Sequence, residues 1–245
     1  VNAGLLNLVE SIGIIMGANI GTTVTAWIIS ILGFKVKMSI ISLPLIGLSV
    51  PLIFSKLDKR RSIGEIFVGF ALLFIGLEYL KSSVPDIKSN PEILSFLADF
   101  TDLGMASFFI FLLIGTILTV VIQSSSATMA LTLVMCANGW IGFETAAAMV
   151  LGENIGTTIT ANIAATVANN SARRTARAHS IFNIFGVIWM FMFFRLFLKG
   201  VDLLVLRTGA ESAFENPASL PVALSLFHTS FNILNVVVML PFAKL

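Results

Sequence analysis

Apolar residues form long runs along this chain, and short polar stretches separate them. A membrane-spanning helix needs about 20 mostly apolar residues. The pattern predicts spans over 11–34, 38–55, 63–80, 145–168, 178–198 and 220–242. Between 103 and 143 lie 41 uncharged residues, enough for two passes or for a re-entrant hairpin. The pattern therefore predicts an all-α membrane protein.

Two polar phrases interrupt these runs and nearly repeat each other. Residues 17–26 read GANIGTTVTA, and residues 152–161 read GENIGTTITA, at an offset of 135. Their G-x-x-x-G spacing suits close helix packing, but packing does not need the Asn and the Thr pair. An interrupted helix would use them, because its free carbonyls coordinate cations and its free N–H groups attract anions. We therefore expect interrupted helices at both phrases.

Composition supports the membrane assignment and excludes several classes of protein. The chain is 57% hydrophobic and 11% charged, with a mean hydropathy of +0.97, whereas soluble domains carry about 25% charged residues. A net charge of +2 gives no reason to expect nucleic acid. The single cysteine, Cys136, excludes an intrachain disulfide and a multi-cysteine metal site. No arrangement typical of catalysis appears, so we do not expect an enzyme.

Basic residues predict the orientation of the spans. One predicted loop contains Lys56, Lys59, Arg60 and Arg61, and another contains Arg173, Arg174 and Arg177. Both loops should be cytoplasmic. The spans between them then make the two phrases cross in opposite directions, which is an inverted-topology repeat. The predicted units are a first repeat at 1–81, an extramembrane loop at 82–102 and a second repeat at 103–245.

The motif QSSS lies at the middle of the long uncharged run. Gln123, Ser124, Ser125 and Ser126 offer an amide and three hydroxyls, which donate to anions and accept around cations. The alternative is that the hydroxyls bond back to helix carbonyls. Repeat symmetry predicts a matching QSSS upstream of Val1. Because the opening VNAGLL resembles the middle of a segment, we expect an N-terminal truncation that removes this first hairpin.

Two other polar features have open interpretations. Glu153 stands where the first phrase has Ala18, either as a cavity-facing or interfacial acid or as a cation ligand. The pattern His-x-x-Phe-Asn occurs at 179–183 and again at 228–232. It predicts hydrogen bonds between helices or a role linked to a proton or cation.

Together, the two phrases and QSSS resemble the signature of the type II sodium–phosphate cotransporters, including the bacterial members. The resemblance implies two inverted-topology repeats with a re-entrant hairpin, and sodium-dependent phosphate symport at the repeat interface. It implies a bacterial inner-membrane location in the lipid bilayer, with sodium as the coupling ion, and leaves a homodimer open. The alternatives are another oxyanion transporter, a proton-coupled carrier, or a membrane scaffold or signalling subunit.

The resemblance also implies two sets of binding residues. The substrate contacts would be Gln123, Ser124, Ser125, Ser126, Asn154, Thr157, Thr158, Asn19, Thr22 and Thr23. The sodium contacts would be Gln123, Ser125, Thr158, Thr23 and Asn19.

Overall fold

The computed structural model describes residues 6–34, 38–83, 99–101 and 103–242. In these ranges the chain is helical and without strands. The helices are α1 (Leu8–Ile28), α2 (Met38–Ile53), α3 (Asp58–Ser83), α4 (Met105–Ile122), α5 (Ser125–Ala137), α6 (Phe143–Ala165), α7 (Asn170–Leu206) and α8 (Leu220–Met239). A wider π-helical turn, Ile29–Gly33, extends α1, and a 3-10 turn, Leu240–Phe242, ends α8.

Among the described residues, five helical segments are long and apolar enough to cross a membrane. They are Leu8–Gly33, Asp58–Ser83, Met105–Ile122, Asn170–Leu206 and Leu220–Phe242. Two shorter apolar helices accompany them, within α2 and at α5. The prediction of an all-α membrane protein is confirmed at this level.

Helix α6 lies at the centre of the second half of the molecule. It contacts α4, α5, α7 and α8, and every residue from 145 to 154 is buried. This stretch of α6 is buried on all sides, so it belongs to the core rather than to a surface facing solvent or lipid. Large side chains of the other helices, including Phe111, Leu133 and Phe227, complete this core. Helix α6 is therefore the scaffold on which the candidate site is built.

Helix α1, which contains the first phrase, packs against α5, α7 and α8. Its start is fixed by a capping box: Asn7 Oδ1 accepts from the Glu10 N–H, and Glu10 Oε2 accepts from the Asn7 N–H, each at 2.9 Å. The N-cap of α6 is Gly142, at the same offset of 135 from Asn7. The repeat thus extends to where both helices begin.

The structure corrects several predicted boundaries. Most of the basic residues assigned to loops lie on helices: Lys59 to Arg61 in α3, and Arg173 to Arg177 in α7. Helix α7 has 37 residues, well beyond the predicted 178–198. Its last turns are hydrogen-bonded to the segment that connects α7 to α8. Asp202 accepts from the Ser212 hydroxyl at 2.9 Å and from the Ala213 N–H at 2.7 Å. Most of the predicted 82–102 loop, residues 84–98 and 102, lies outside the described residues.

Candidate functional site

The QSSS motif forms the tight turn between α4 and α5, where the sequence predicts it. Gln123 is the C-cap of α4 in the left-handed conformation, with φ 58° and ψ 25°. Ser124 is extended and is the N-cap of α5, and its hydroxyl oxygen accepts from the Ala127 N–H at 3.2 Å. Two residues therefore separate the two helices.

This turn exposes the amino end of α5 together with uncharged donors. The first N–H groups of an α-helix have no partner within the helix, which leaves those of Ser125 and Ser126 free of helical bonds. Gln123 is exposed, and the three serines are half-buried. The helix dipole adds partial positive charge at this end. The turn thus combines hydroxyl, amide and backbone donors that suit an anion.

The expectation of interrupted helices at the two phrases is wrong. Helices α1 and α6 run without a break through GANIG and GENIG. The polar side chains bond back to carbonyls of their own helix instead. Asn19 donates to Ile15 and Asn154 to Val150, at 3.1 and 3.0 Å. The threonines do the same: Thr22 to Ala18, Thr23 to Ile20, Thr157 to Glu153 and Thr158 to Ile155.

The glycines of the second phrase allow α4 and α6 to pack closely. A Cβ placed on Gly152 would lie 2.0 Å from the Leu112 carbonyl oxygen, and one on Gly156 would lie 2.7 Å from that of Thr116. Gly115 of α4 is in similar contact with Met149. Thr116 Oγ1 also donates to the Gly152 carbonyl at 3.0 Å. Packing therefore explains the second G-x-x-x-G.

The two phrases differ in this respect. A Cβ on Gly17 or Gly21 would meet nothing within 4 Å, although Asn19 and Thr23 on the same helix are buried. Close packing among the described residues thus explains the glycines of one copy only.

Helix α5, which begins with Ser125 and Ser126, contacts both α1 and α6. Ser126 and Thr25 line a cavity of about 360 Å³ between α1, α3 and α5. The remaining lining of this cavity is largely apolar, from residues such as Leu73 and Leu77. Within the described part of the chain, the side-chain hydrogen bonds of Asn19, Thr22, Thr23, Asn154, Thr157 and Thr158 all end on their own helices.

Two threonines of α5 continue the polar cluster of the turn, and the second of them, Thr132, is not predicted from the sequence. Thr128 Oγ1 donates to the Ser124 carbonyl at 3.0 Å. One turn further, Thr132 Oγ1 lies 3.1 Å from the Thr128 carbonyl and 2.8 Å from Glu153 Oε1. The sequence contains a pattern that could have predicted this row of hydroxyls: Ser124, Thr128 and Thr132 are spaced by four residues, which places them on one helix face.

Within the described part of the chain, the repeated His-x-x-Phe-Asn pattern does not make the interhelical hydrogen bonds that one interpretation predicts. Asn183 Nδ2 donates to the His179 carbonyl and Asn232 Nδ2 to the His228 carbonyl, each within its own helix. The polar link between α7 and α8 comes from Asn235. Its Nδ2 donates to the Phe182 carbonyl at 3.0 Å, and its Oδ1 accepts from Trp189 at 3.1 Å.

The apolar helices define an integral membrane protein, in which the helix that follows the polar turn contacts both helices that carry the repeated phrases. The family model described as Na+/Pi-cotransporter matches residues 1–82 and 91–209. The chain therefore belongs to the Na+/Pi-cotransporter family, as the resemblance implied.

Curated relatives agree with this membership. The "Uncharacterized protein YqeW" of Bacillus subtilis is 30% identical over all of this chain and 73% of its own length. The "Putative inorganic phosphate export protein YjbB" of Escherichia coli K12 is 27% identical over 97% of this chain. Its Salmonella typhimurium namesake is 27% identical over 98%. The chain spans only 40% and 41% of the two YjbB proteins. No solved structure matches.

Proposed function

We propose that this protein moves inorganic phosphate across a membrane and that the α4–α5 turn binds the phosphate. The observation that carries the proposal is the amino end of α5, where Gln123 and the serines present neutral donors beside a helix dipole. A tetrahedral anion accepts several hydrogen bonds at once, as this cluster requires. Membership of a phosphate-transporter family supports the same substrate.

Sodium is the proposed coupling ion. The donors of the turn carry no formal charge, so a bound phosphate needs a cation to offset its negative charge. Gln123, Ser125, Thr158, Thr23 and Asn19 are the proposed sodium ligands. A threonine hydroxyl that donates to a helix carbonyl keeps its lone pairs, and Thr158 and Thr23 both donate in this way. Binding of either ion would then favour binding of the other.

The remaining substrate contacts would come from the repeated phrases. Asn154 and Thr157 of α6 would serve one side of the site, and Asn19 and Thr22 of α1 would serve the other. Charge placement predicts that these helices cross a bacterial inner membrane in opposite directions. Such an inverted repeat allows alternating access by movement of one element against the other. The α4–α5 hairpin would be re-entrant, because the 13 residues of α5 extend only about 20 Å.

The direction of transport follows the gradients in the cell. The name of YjbB assigns phosphate export to that protein, and a symporter runs outward when the combined gradient points outward. The same site in this chain could therefore support phosphate export as well as import.

The test of the proposed function is phosphate uptake into proteoliposomes with an inward sodium gradient. We expect the Ser125→Ala variant to lose most of the uptake while its thermal unfolding stays close to that of the parent. The matched control is Ser171→Ala, because Ser171 is an exposed serine in the first turn of α7.

Several outcomes would contradict the proposal. A parent protein that moves no phosphate would remove the transport function, and uptake that is equal in sodium and potassium would remove the sodium coupling. Equal loss of uptake and of folding in Ser125→Ala would assign the serine to packing. Loss of uptake in Ser171→Ala would show that the effect is not specific to the turn.

A further inference from the structure

Glu153 is an acidic side chain inside the most central helix of the molecule. It is 2% exposed, and its Oε1 accepts from Thr132 Oγ1 at 2.8 Å. Its second oxygen, Oε2, is buried with no hydrogen-bond partner among the described residues. An ionised carboxylate in such a place is costly unless a cation accompanies it. Glu153 has no such partner among the described residues, where the salt bridge found is between Arg61 and Glu65 of α3.

The helices around α6 supply few groups that could offset a negative charge on Glu153. Helix α4 has no titratable residue, α8 has only His228, and α5 has only Cys136, which is buried. The titratable residues of α7 are Arg173, Arg174, Arg177, His179, Arg195, Lys199 and Asp202. None of these basic groups forms an ion pair with Glu153 in the described structure. Neutralisation therefore has to come from a mobile cation.

The hydrogen bonds of Thr132 indicate which cation this is. Its hydroxyl has one hydrogen but lies within bonding distance of two acceptors, the Thr128 carbonyl and Glu153 Oε1. A protonated Glu153 fits both contacts, because the acid would donate to the Thr132 oxygen while the Thr132 hydroxyl donates to the Thr128 carbonyl. A proton needs no cavity, and Glu153 lines neither the 360 Å³ cavity nor the other described one, of about 530 Å³.

These bonds connect Glu153 to the proposed phosphate site. Thr132 bonds to the Thr128 carbonyl, Thr128 bonds to the Ser124 carbonyl, and Ser124 caps the helix start at the turn. Ionisation of Glu153 would draw the single hydrogen of Thr132 away from α5 and towards α6. The charge of Glu153 is thereby coupled to the helix that presents Ser125.

We propose that Glu153 is a proton-binding site that takes up and releases a proton during transport. The neutral acid holds α5 against α6 through Thr132, and release of the proton to water loosens this contact as the α4–α5 hairpin moves. The inference rests on the proposed phosphate transport, to which it adds a second coupling ion.

The test measures proton movement with a pH-sensitive dye trapped inside phosphate-loaded proteoliposomes at equal sodium on both sides. For the parent, we expect phosphate movement to be accompanied by proton movement and an imposed pH gradient to change the rate several-fold. Glu153→Gln mimics the neutral acid, so it should keep phosphate exchange and lose the response to the gradient. The control Glu144→Gln alters an exposed acid on the same helix and should behave as the parent. Because all variants see the same phosphate at each pH, the titration of phosphate itself cancels.

A second pair of variants tests the link to α5. Thr132→Val should weaken the response to the pH gradient, and Thr132→Ser should restore it, since serine keeps the hydroxyl. A merely structural role for Thr132 would lower phosphate exchange in Thr132→Val without changing the pH profile.

Infrared spectroscopy tests protonation separately from transport. The parent should show the C=O stretch of a protonated buried carboxyl, and Glu153→Gln should lack it. The proposal would be overturned if the parent lacked this band or if Glu153→Gln responded to the pH gradient as the parent does. It would also be overturned if Glu153→Gln changed the sodium dependence of transport and left the pH response unchanged. A parent that moves no phosphate would overturn the proposed function, and the infrared band would still decide the state of Glu153.

Discussion

At the scale of single residues, Gln123 is the unusual position. Among the described non-glycine residues it is the one with a positive φ, at 58°. The left-handed conformation costs an L-residue about 1–2 kcal/mol, and helices that end in this way usually have glycine there. A residue held in an unfavourable conformation beside exposed donors suggests that its side chain serves function rather than stability.

We predict that Gln123→Gly leaves the free energy of unfolding unchanged or raises it by up to about 1 kcal/mol, because glycine adopts this conformation without strain. Phosphate affinity should fall, since the amide is lost. Thermal unfolding in detergent and phosphate uptake measure the two effects. Asn138→Gly is the control. Asn138 is the exposed C-cap of α5 and has a negative φ of −86°, so glycine relieves no strain there and should only destabilise the protein. A destabilised Gln123→Gly with normal uptake would contradict the prediction.

At the scale of helices, α4 and α6 pack closely against each other at three glycines. The Gly115, Gly152 and Gly156 backbones approach carbonyl oxygens of the opposite helix. Helix association in membranes depends on such packing, because lipid is as apolar as the helix surfaces. The matching glycines in α1 meet nothing within 4 Å among the described residues, so close packing accounts for the second copy only.

Replacing one glycine in each copy should separate these roles. Gly152→Ala should lower the free energy of unfolding by about 1–3 kcal/mol, because its Cβ would overlap the Leu112 carbonyl. Gly17→Ala should be neutral or stabilise α1 by up to about 1 kcal/mol, since alanine favours the helix. Both are read from thermal or denaturant unfolding in detergent. Unfolding of Gly152→Ala at the parent's temperature would rule out close packing as the role of the second phrase.

At the scale of the whole molecule, the central proposal is that α1 and α6 cross the membrane in opposite directions. The two helices begin at positions that differ by the repeat offset, after Asn7 and Gly142. Exposed basic residues at the starts of α3 and α7 predict that both of these ends are cytoplasmic. The start of α1 should then be cytoplasmic and the start of α6 external.

Labelling of single introduced cysteines with a membrane-impermeant maleimide on intact cells would test this arrangement. We expect Gly142→Cys to react from outside and Leu6→Cys to react only after the membrane is opened. Val167→Cys, at the other end of α6 and 93% exposed, should behave like Leu6→Cys. The parent protein is the negative control for labelling, because its cysteine, Cys136, is buried and should not react. Reaction of Leu6→Cys and Gly142→Cys from the same side would exclude an inverted repeat.

The sequence by itself determined the helical class, most of the apolar spans, the turn at Gln123 and the family. These features depend on hydropathy runs, cap residues and motifs, which are local along the chain. Tertiary structure decided that α1 and α6 continue through GANIG and GENIG. Asn and Thr side chains satisfy helix carbonyls in either case, so their presence alone does not distinguish a broken helix from an intact one.

Tertiary structure alone also decided which glycines pack and where Glu153 lies. Gly152 is tight because Leu112 lies against it, whereas Gly17, the matching glycine of the first phrase, meets nothing within 4 Å among the described residues. Glu153 meets Thr132 from 21 residues away, across two helices. Local patterns report what a residue does within its own helix, and its partners on other helices depend on how those helices pack.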